Sequence, residues 1–314
     1  QESVPGASSG ARFRIGRYLM YVGLVTCANL PGWERDDIPF HEALKELNIS
    51  FEKPVWDDPR VNWEGFDACI IRTTWDYMEK GVEFLQWADR VGNNTPLYNS
   101  SAVIRWNSEK TYLRTLENHG VRIAPTVWLE KGDAANLEEI MVSRQWDRGF
   151  LKPVVGLCAW ETMRFRSQSS EVIKAQGHLD RNLRERAMML QPYIPTVETI
   201  GEYSVIFIDG QITHAVQKVP VPGDYRVQDD FGASDHPIEP GEDLIAISEY
   251  VHDALNKIAK TENASAEDIL YARIDFLEDE DGSLLVNEAE LIEPSLFFRH
   301  GPGAASALAK AIQQ

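Results

Sequence analysis

Cysteine is scarce and scattered in this chain of 314 residues. Cys27, Cys69 and Cys158 are its only cysteines, and no two of them have CxxC spacing. An odd number of isolated cysteines argues against a disulfide framework or a zinc site and is typical of a protein from a reducing compartment. We therefore predict a cytoplasmic protein.

Positive charge is in deficit. The chain has 31 Lys and Arg against 49 Asp and Glu, for a net charge of −18. Nucleic-acid binding needs a basic surface, so this class of partner is excluded, and no apolar run reaches the roughly 18 residues of a membrane span. A local cluster of lysines can still bind a small phosphate ligand, because net charge says little about one cleft.

The commonest catalytic motifs are also absent. The sequence has no GxxxxGK[ST], no HExxH and no GxSxG, and its seven histidines show no metal-ligand spacing. These absences exclude a P-loop as the nucleotide site and remove the usual zincin and hydrolase-elbow interpretations.

Two charged apolar strands near the C-terminus are the most informative feature present. Residues 271–277 and 284–291 are each apolar with two charged residues at spacing i, i+2, and Asp281-Gly282 between them predicts a hairpin turn. A suitable register would place four charged side chains on one face: Arg273, Asp275, Glu288 and Glu290. Such an oxygen-rich cluster suits Mg²⁺, whereas an exposed strand face with solvated charges is the alternative.

The first third of the chain alternates strands and helices. Strands are predicted at 18–25, 49–55 and 68–72, and helices at 38–47 and 82–91. This alternation favours an α/β domain with a parallel sheet covered by helices. Ligands of such sheets collect beyond the carboxyl ends of the strands, which makes residues 72–77 a candidate substrate segment. A capped loop with Asp76 as a turn residue is the alternative.

The remaining chain divides into two further regions. The second has a predicted helix from Ser108 to about His119 and strands at 126–129 and 149–155, and the third begins near the strand at 188–194. We therefore predict a flexible end at 1–16 and domains at 17–103, 104–190 and 191–314.

The order of these elements resembles the ATP-grasp superfamily from about residue 17 onward. The matching motifs are Lys110, Lys152, the hinge 190–194, Gly201-Glu202, Lys218, Arg273-x-Asp275 and Glu288-x-Glu290. Four stretches further resemble the branch that contains the cycloserine-forming O-ureidoserine cyclo-ligase: 71–77, 214–218, 223–228 and 290–296. The resemblance implies an ATP-grasp fold behind an N-terminal parallel α/β domain.

The resemblance also implies a role for each matching residue. Lys110 and Lys152 would contact the ATP phosphates, and Glu202 would hold the ribose. The adenine would lie against the hinge residues Gln191, Pro192, Tyr193 and Ile194. The catalytic cations would be Lys218, Arg273 and Arg226, and the ligands of two Mg²⁺ ions would be Asp275, Glu288 and Glu290. The substrate would contact Arg72, Trp75, Asp76, Tyr77, Ser295 and Arg299, whose arginines suit a carboxylate.

The implied activity is an ADP-forming carboxylate–amine ligase. The γ-phosphoryl group of ATP would pass to a substrate carboxylate, and a nitrogen nucleophile of the same or another molecule would attack the acyl phosphate. A small-molecule kinase and a nucleotide-binding module without turnover are the alternatives. Many superfamily members are dimers, so a homodimer is a further expectation.

Two departures from the superfamily pattern bear on the site. Glu290 stands where many members have Asn, which puts the number of metal ions in question. The lid at 154–162 is poorer in Gly and Ser than a typical phosphate-covering loop, and its Trp160 is either a substrate-facing residue or a packed aromatic.

Overall fold

The computed structural model describes residues 20–30, 35–156, 159–167, 170–228, 231–261, 268–301 and 303–313. The predicted flexible end at 1–16 lies outside the described residues, as do Leu157 and Cys158 of the lid. The strands are β1 Tyr21–Thr26, β2 Ser50–Glu52, β3 Ala68–Thr73, β4 Leu97–Tyr98, β5 Val127–Leu129, β6 Arg148–Pro153, β7 Met163–Arg166, β8 Met188–Pro192, β9 Glu202–Ile208, β10 Gln211–Val219, β11 Ser234–Ile238, β12 Tyr271–Glu278 and β13 Leu284–Glu290. The α-helices are α1 Ile38–Glu46, α2 Gly81–Gly92, α3 Ser101–Asn107, α4 Tyr112–Asn118, α5 Leu137–Arg144, α6 Ser170–Leu183, α7 Glu242–Thr261 and α8 Ala304–Ala311.

The N-terminal region forms the predicted parallel sheet. Its strand order is β2-β1-β3-β4, and every pairing between neighbours is parallel. Strand β2 is shorter than the predicted 49–55 because Pro54 has no backbone N–H to donate to a neighbouring strand.

Two antiparallel sheets follow. The small sheet has the order β5-β8-β6-β7 and packs against α5 and α6 through a cluster that includes Leu137, Leu151 and Leu179. The central sheet has the order β11-β10-β9-β12-β13 and contains the predicted hairpin at Asp281-Gly282 and a second one at Asp209-Gly210. The mixed α/β class is therefore confirmed.

One predicted helix forms but begins later than expected. Instead of a helix beginning at Ser108, the chain forms α3, capped by Ser100, and then α4. Lys110 lies in the turn between them, where its backbone N–H donates to the Val154 carbonyl at 2.8 Å instead of to a helical carbonyl. This contact fixes Lys110 beside the end of β6.

The parallel sheet packs directly on the central sheet. Their shared core joins Val22 and Ile70 of the first sheet to Ile206 and Tyr271 of the central sheet, and α1 and α8 cover it. On the other face of the central sheet, α4 and α7 pack around residues such as Leu255. None of the described helices has the length and apolarity needed to cross a membrane.

Candidate active site

A cavity of about 330 Å³ lies between the small sheet and the central sheet. Fifteen of the predicted site residues line it: Trp75, Lys110, Lys152, Gln191, Pro192, Tyr193, Ile194, Glu202, Lys218, Arg226, Arg273, Asp275, Glu288, Glu290 and Ser295. Residues from all three predicted domains therefore meet at one place, although the domain boundaries themselves stay a prediction.

The β12–β13 hairpin has the register that brings its charged residues together. Arg273 pairs with Glu290 and Asp275 pairs with Glu288, so all four face the cavity. Between Asp275 and Phe276 the register shifts, which leaves Asn287 as an extra residue on β13. This bulge allows Asn287 to line the cavity next to Glu288.

Asp275 lies at the centre of the charged cluster. It accepts hydrogen bonds from the Ser204 hydroxyl, from Lys218 Nζ at 3.2 Å and from Arg273 Nε at 3.0 Å. Burial alone would raise the pKa of Asp275, but the two cations lower this pKa to about 2. The carboxylate is therefore ionised at any physiological pH.

Lys110 and Lys152 approach the cluster from the other side. Lys110 Nζ lies 3.1 Å from Glu288 and donates to the Gly156 carbonyl at 2.7 Å, while Lys152 Nζ donates to Asn287 at 3.2 Å. Burial lowers the pKa of Lys152 to about 8. Among the described residues, its ammonium group donates to Asn287 and has no carboxylate within ion-pair distance. An anionic ligand would supply the missing partner.

Glu202 and Lys218 form a buried ion pair at the base of the cavity. Gly201 makes their approach possible: its φ is +86°, and a Cβ atom there would stand 2.0 Å from the Lys218 carbonyl oxygen. Glu202 also accepts a hydrogen bond from Asn287, which connects the base to the bulge.

Two carboxyl groups in the cavity hold protons unusually tightly. Burial, opposed by Arg273, raises the pKa of Glu290 to about 7. Burial and the nearby Glu290 raise the pKa of Glu293 to about 8. Both carboxyl groups are therefore protonated in part or for the most part at neutral pH.

The predicted metal ligands do not converge on one point. Within the described residues, no group of three or more His, Cys, Asp or Glu side chains is placed to hold a metal ion. Each predicted ligand is bonded to a cation instead: Asp275 to Lys218 and Arg273, Glu288 to Lys110, and Glu290 to Arg273. The donor set is all oxygen and fits Mg²⁺ in type, provided that these ion pairs open.

The hinge continues from β8 along one wall of the cavity. Gln191 donates to Thr126 at 2.9 Å, and the Tyr193 backbone N–H donates to the Arg148 carbonyl at 3.0 Å. The Tyr193 hydroxyl donates to Glu198 at 2.6 Å. These contacts hold in place the hinge residues 191–194, against which the adenine is expected to lie.

The predicted substrate residues separate into two groups. Trp75 and Ser295 line the cavity, and Tyr77 lines a recess of about 30 Å³ beside it. Arg72, Asp76 and Arg299 do not line the cavity. Their partners are, in order, Asp37 at 2.9 Å, Trp56 Nε1 at 2.8 Å and Asp36 at 2.8 Å.

Arg226 lines the cavity but is also held by its own loop. Asp224 accepts hydrogen bonds from its guanidinium, and the Phe231 ring lies 3.9 Å from Arg226 Cζ. The lid closes over this loop, because Thr162 and Tyr225 share a hydrogen bond of 2.9 Å and Arg164 donates to the Gly223 carbonyl at 2.9 Å. Trp160 lines the cavity while its ring stacks 4.7 Å from Arg186.

Sequence reasoning assigned no role to five residues that shape the site. They are Asn287, Ser204, Arg164, Tyr225 and Glu293. Asn287 depends on a bulge that no sequence pattern indicates. Glu293 had a usable signal, since it is a charged residue that follows Leu291 and Ile292 shortly after an apolar strand.

Comparison with known proteins gives a consistent picture. Residues 22–99 match the family model described as the N-terminal domain of D-cycloserine synthetase DcsG. The cycloserine biosynthesis protein DcsG of Streptomyces lavendulae is 29% identical over 307 residues, which span 93% of this chain and 98% of that protein.

Solved structures extend the likeness. The crystal structure of D-cycloserine synthetase DcsG has a TM-score of 0.83 with 29% identity, covering 93% of this chain and 98% of the other. D-alanine–D-alanine ligase from Bacillus anthracis has a TM-score of 0.64 with 15% identity, covering 94% and 96%. The second likeness shows a shared fold.

Proposed function

We propose that the chain is an ATP-grasp ligase that activates the carboxylate of an amino acid derivative as an acyl phosphate for attack by nitrogen. The activation step releases ADP, and the attack forms a C–N bond while the C–O bond to phosphate breaks. The single observation that carries the proposal is the charged cluster of the cavity, where cations and carboxylates from the central sheet, the small sheet and the turn before α4 neutralise one another.

The cluster is balanced in the absence of ligands. Its four cations are Lys110, Lys152, Lys218 and Arg273, and four of its carboxylates are Glu202, Asp275, Glu288 and Glu290. ATP brings roughly four negative charges, and two Mg²⁺ ions would offset them. Exchange of partners, with lysines turning to phosphates and carboxylates to metal, would then leave the net charge of the cluster unchanged.

This exchange assigns the nucleotide and metal roles. We propose that Lys110 and Lys152 bind the phosphates, that Glu202 and residues 191–194 bind the nucleoside, and that Asp275, Glu288 and Glu290 hold two Mg²⁺ ions. Mg²⁺ held by these carboxylates would supply charge neutralisation for the transferring phosphoryl group. Lys218 and Arg273 stabilise the same group by positioning and charge, which is most of what phosphoryl transfer requires.

The substrate would lie between Trp75, Arg226 and Ser295. The lid, closed by Thr162 and Arg164, would exclude the water that otherwise hydrolyses an acyl phosphate. We propose that Arg72, Asp76 and Arg299 act as positioning residues behind this surface.

The relative named D-cycloserine synthetase favours a nucleophile within the substrate itself. We therefore place ring closure of an O-ureidoserine-like molecule first and intermolecular ligation second. A cytoplasmic location and a homodimer stay predictions from the sequence.

A substrate panel tests the proposal. The panel contains both enantiomers of O-ureidoserine and of alanine and serine, with ATP and Mg²⁺, and ADP release and product mass are measured. Hydroxylamine added to a parallel reaction traps an acyl phosphate as a hydroxamate. ADP release with a trapped hydroxamate supports the ligase, ADP release without one indicates a kinase, and neither product for any substrate would overturn the proposal.

A further inference from the structure

One carboxylate of the cavity has no cation. Glu293 lines both the cavity and the smaller recess, and its side chain is only 5% exposed. The other cavity carboxylates each pair with Lys or Arg, whereas Glu293 has no ion pair within the described residues. Its Oε2 atom is buried without a hydrogen-bond partner.

Neighbouring residues hold Glu293 in place without using this oxygen. Trp75 Nε1 donates to the Glu293 carbonyl at 3.3 Å, and Arg72 donates to the next carbonyl, that of Pro294, at 3.3 Å. The Tyr77 side chain lies beside the Glu293 carboxyl group, and both residues line the smaller recess. The backbone of Glu293 is thus held in place at the cavity wall, while its Oε2 atom stays without a donor.

The charged side chains nearest to Glu293 are already paired with other residues. Glu290, three residues earlier, is bonded to Arg273, and Lys110 is bonded to Glu288. Above its raised pKa, Glu293 presents a buried ionised acceptor without a donor, which is costly and therefore suggests a ligand that supplies the donor. The reacting nitrogen of a ligase substrate carries N–H groups, whereas its carboxylate and the ATP phosphates carry acceptors only.

We propose that Glu293 accepts a hydrogen bond from the nucleophilic nitrogen of the substrate and holds it against the activated carboxyl carbon. This assignment rests on the proposed ligase function and specifies where its second reactant binds. Tyr77 orients the carboxylate, so Tyr77 is a positioning residue and Glu293 a catalytic one.

The test separates nitrogen attack from carboxylate activation. Full-length enzyme is assayed with O-ureidoserine, ATP and Mg²⁺, and the rate of C–N product formation is compared with the rate of hydroxamate formation in concentrated hydroxylamine, which needs no binding site. The variant is Glu293→Gln, and the matched control is Glu280→Gln in the exposed hairpin turn.

We expect Glu293→Gln to slow product formation by about tenfold to a hundredfold, the equivalent of one hydrogen bond to a charged group. Hydroxamate formation should stay within about threefold of the wild type. Parallel loss of both rates would overturn the assignment, because Glu293 would then act in phosphoryl transfer or metal binding. An unchanged product rate would also overturn it.

A second variant guards against misfolding of the first. Tyr77→Phe leaves the carboxylate in place and should slow product formation by about threefold to tenfold with hydroxamate formation intact. Equal effects on both rates would contradict the orienting role. Wild-type enzyme that forms neither ADP nor hydroxamate from any member of the panel would instead overturn the proposed function.

Discussion

Two buried arginines at the inner ends of strands show what separates a structural ion pair from a binding site. Arg72 of β3 is 1% exposed and donates two hydrogen bonds, at 2.9 and 3.0 Å, to Asp37, which is fully buried. Arg273 of β12 is nearly as buried but pairs with both Asp275 and Glu290, shares Asp275 with Lys218 and lines the cavity. The first arginine has one dedicated carboxylate partner, whereas the second belongs to a cluster whose ion pairs can be exchanged.

The difference teaches that burial alone does not identify a functional charge. Substituting one member of a closed ion pair lowers the stability of the fold, because the other charge then stays buried and uncompensated. A cluster with several equivalent partners can release some of them to a ligand. Neutral substitutions should therefore lower mainly the stability of the fold at the Arg72–Asp37 pair and mainly the activity at the cluster.

The largest effect is expected at the closed pair. Asp37→Asn leaves Arg72 buried without a counter-charge and should lower the free energy of unfolding by about 3 to 5 kcal/mol. Urea denaturation measures the loss. Asp58→Asn is the control, because Asp58 also pairs with an arginine, Arg60, but at the surface, and it should leave the free energy nearly unchanged. Equal losses in the two variants would remove the distinction.

The next largest effect is expected on turnover at the exchangeable cluster. Glu288→Gln removes one proposed metal ligand and should lower kcat for ADP formation by about a hundredfold to a thousandfold. Its thermal stability without ligand should stay close to that of the wild type. ADP formation at the wild-type rate would contradict the role proposed for Glu288.

A smaller effect sharpens the contrast with Asp37. Glu290→Gln should change the free energy of unfolding of the ligand-free protein by less than about 1 kcal/mol, because Arg273 keeps Asp275 as a partner. The same variant should bind Mg²⁺-ATP less tightly, as measured by isothermal titration calorimetry. A loss as large as that of Asp37→Asn would show that the cluster is structural.

The smallest effect is a dependence of stability on pH. Because the pKa of Glu293 is raised to about 8, the folded protein between pH 7 and 8 keeps a proton that the unfolded chain has lost. The free energy of unfolding should therefore fall by about 1 kcal/mol as the pH rises through this window. The buried histidines, whose pKa values are lowered, are largely neutral in both states there.

Urea denaturation at pH 7.0, 7.5 and 8.0 measures this slope. Glu293→Gln should flatten it by removing the titrating group, whereas Glu280→Gln should keep it. Glu290, with its pKa raised to about 7, adds to the slope mainly at the lower end of the window. A wild-type free energy of unfolding that does not change between pH 7.0 and 8.0 would contradict the raised pKa values of these two carboxyl groups.

Sequence reasoning reached the exchangeable cluster more readily than the closed pair. Charged residues at i, i+2 on two strands around Asp281-Gly282 fix their shared face by the alternation of side chains alone. Arg72 gave no comparable signal, because an arginine at a strand end looks the same whether it faces a ligand or a carboxylate. Its partner Asp37 lies 35 residues earlier, and only the fold brings the two together.

The same limit explains the remaining misses. The turn at Lys110 arises from a backbone bond to Val154, 44 residues later, and the bulge at Asn287 arises from the pairing of β13 with β12. Neither feature has a local pattern. Long-range contacts, not propensities, decide these details of the site.

Thermal unfolding with ATP, with and without Mg²⁺, tests the central claim most directly. If the cluster exchanges its internal ion pairs for nucleotide and metal, saturation at about 100 times Kd should stabilise the wild-type protein by roughly 2.7 kcal/mol, and the gain should depend on Mg²⁺. The gain should shrink in Glu288→Gln and persist in the surface control Glu280→Gln. The absence of any shift with ATP or another purine nucleotide would contradict the account.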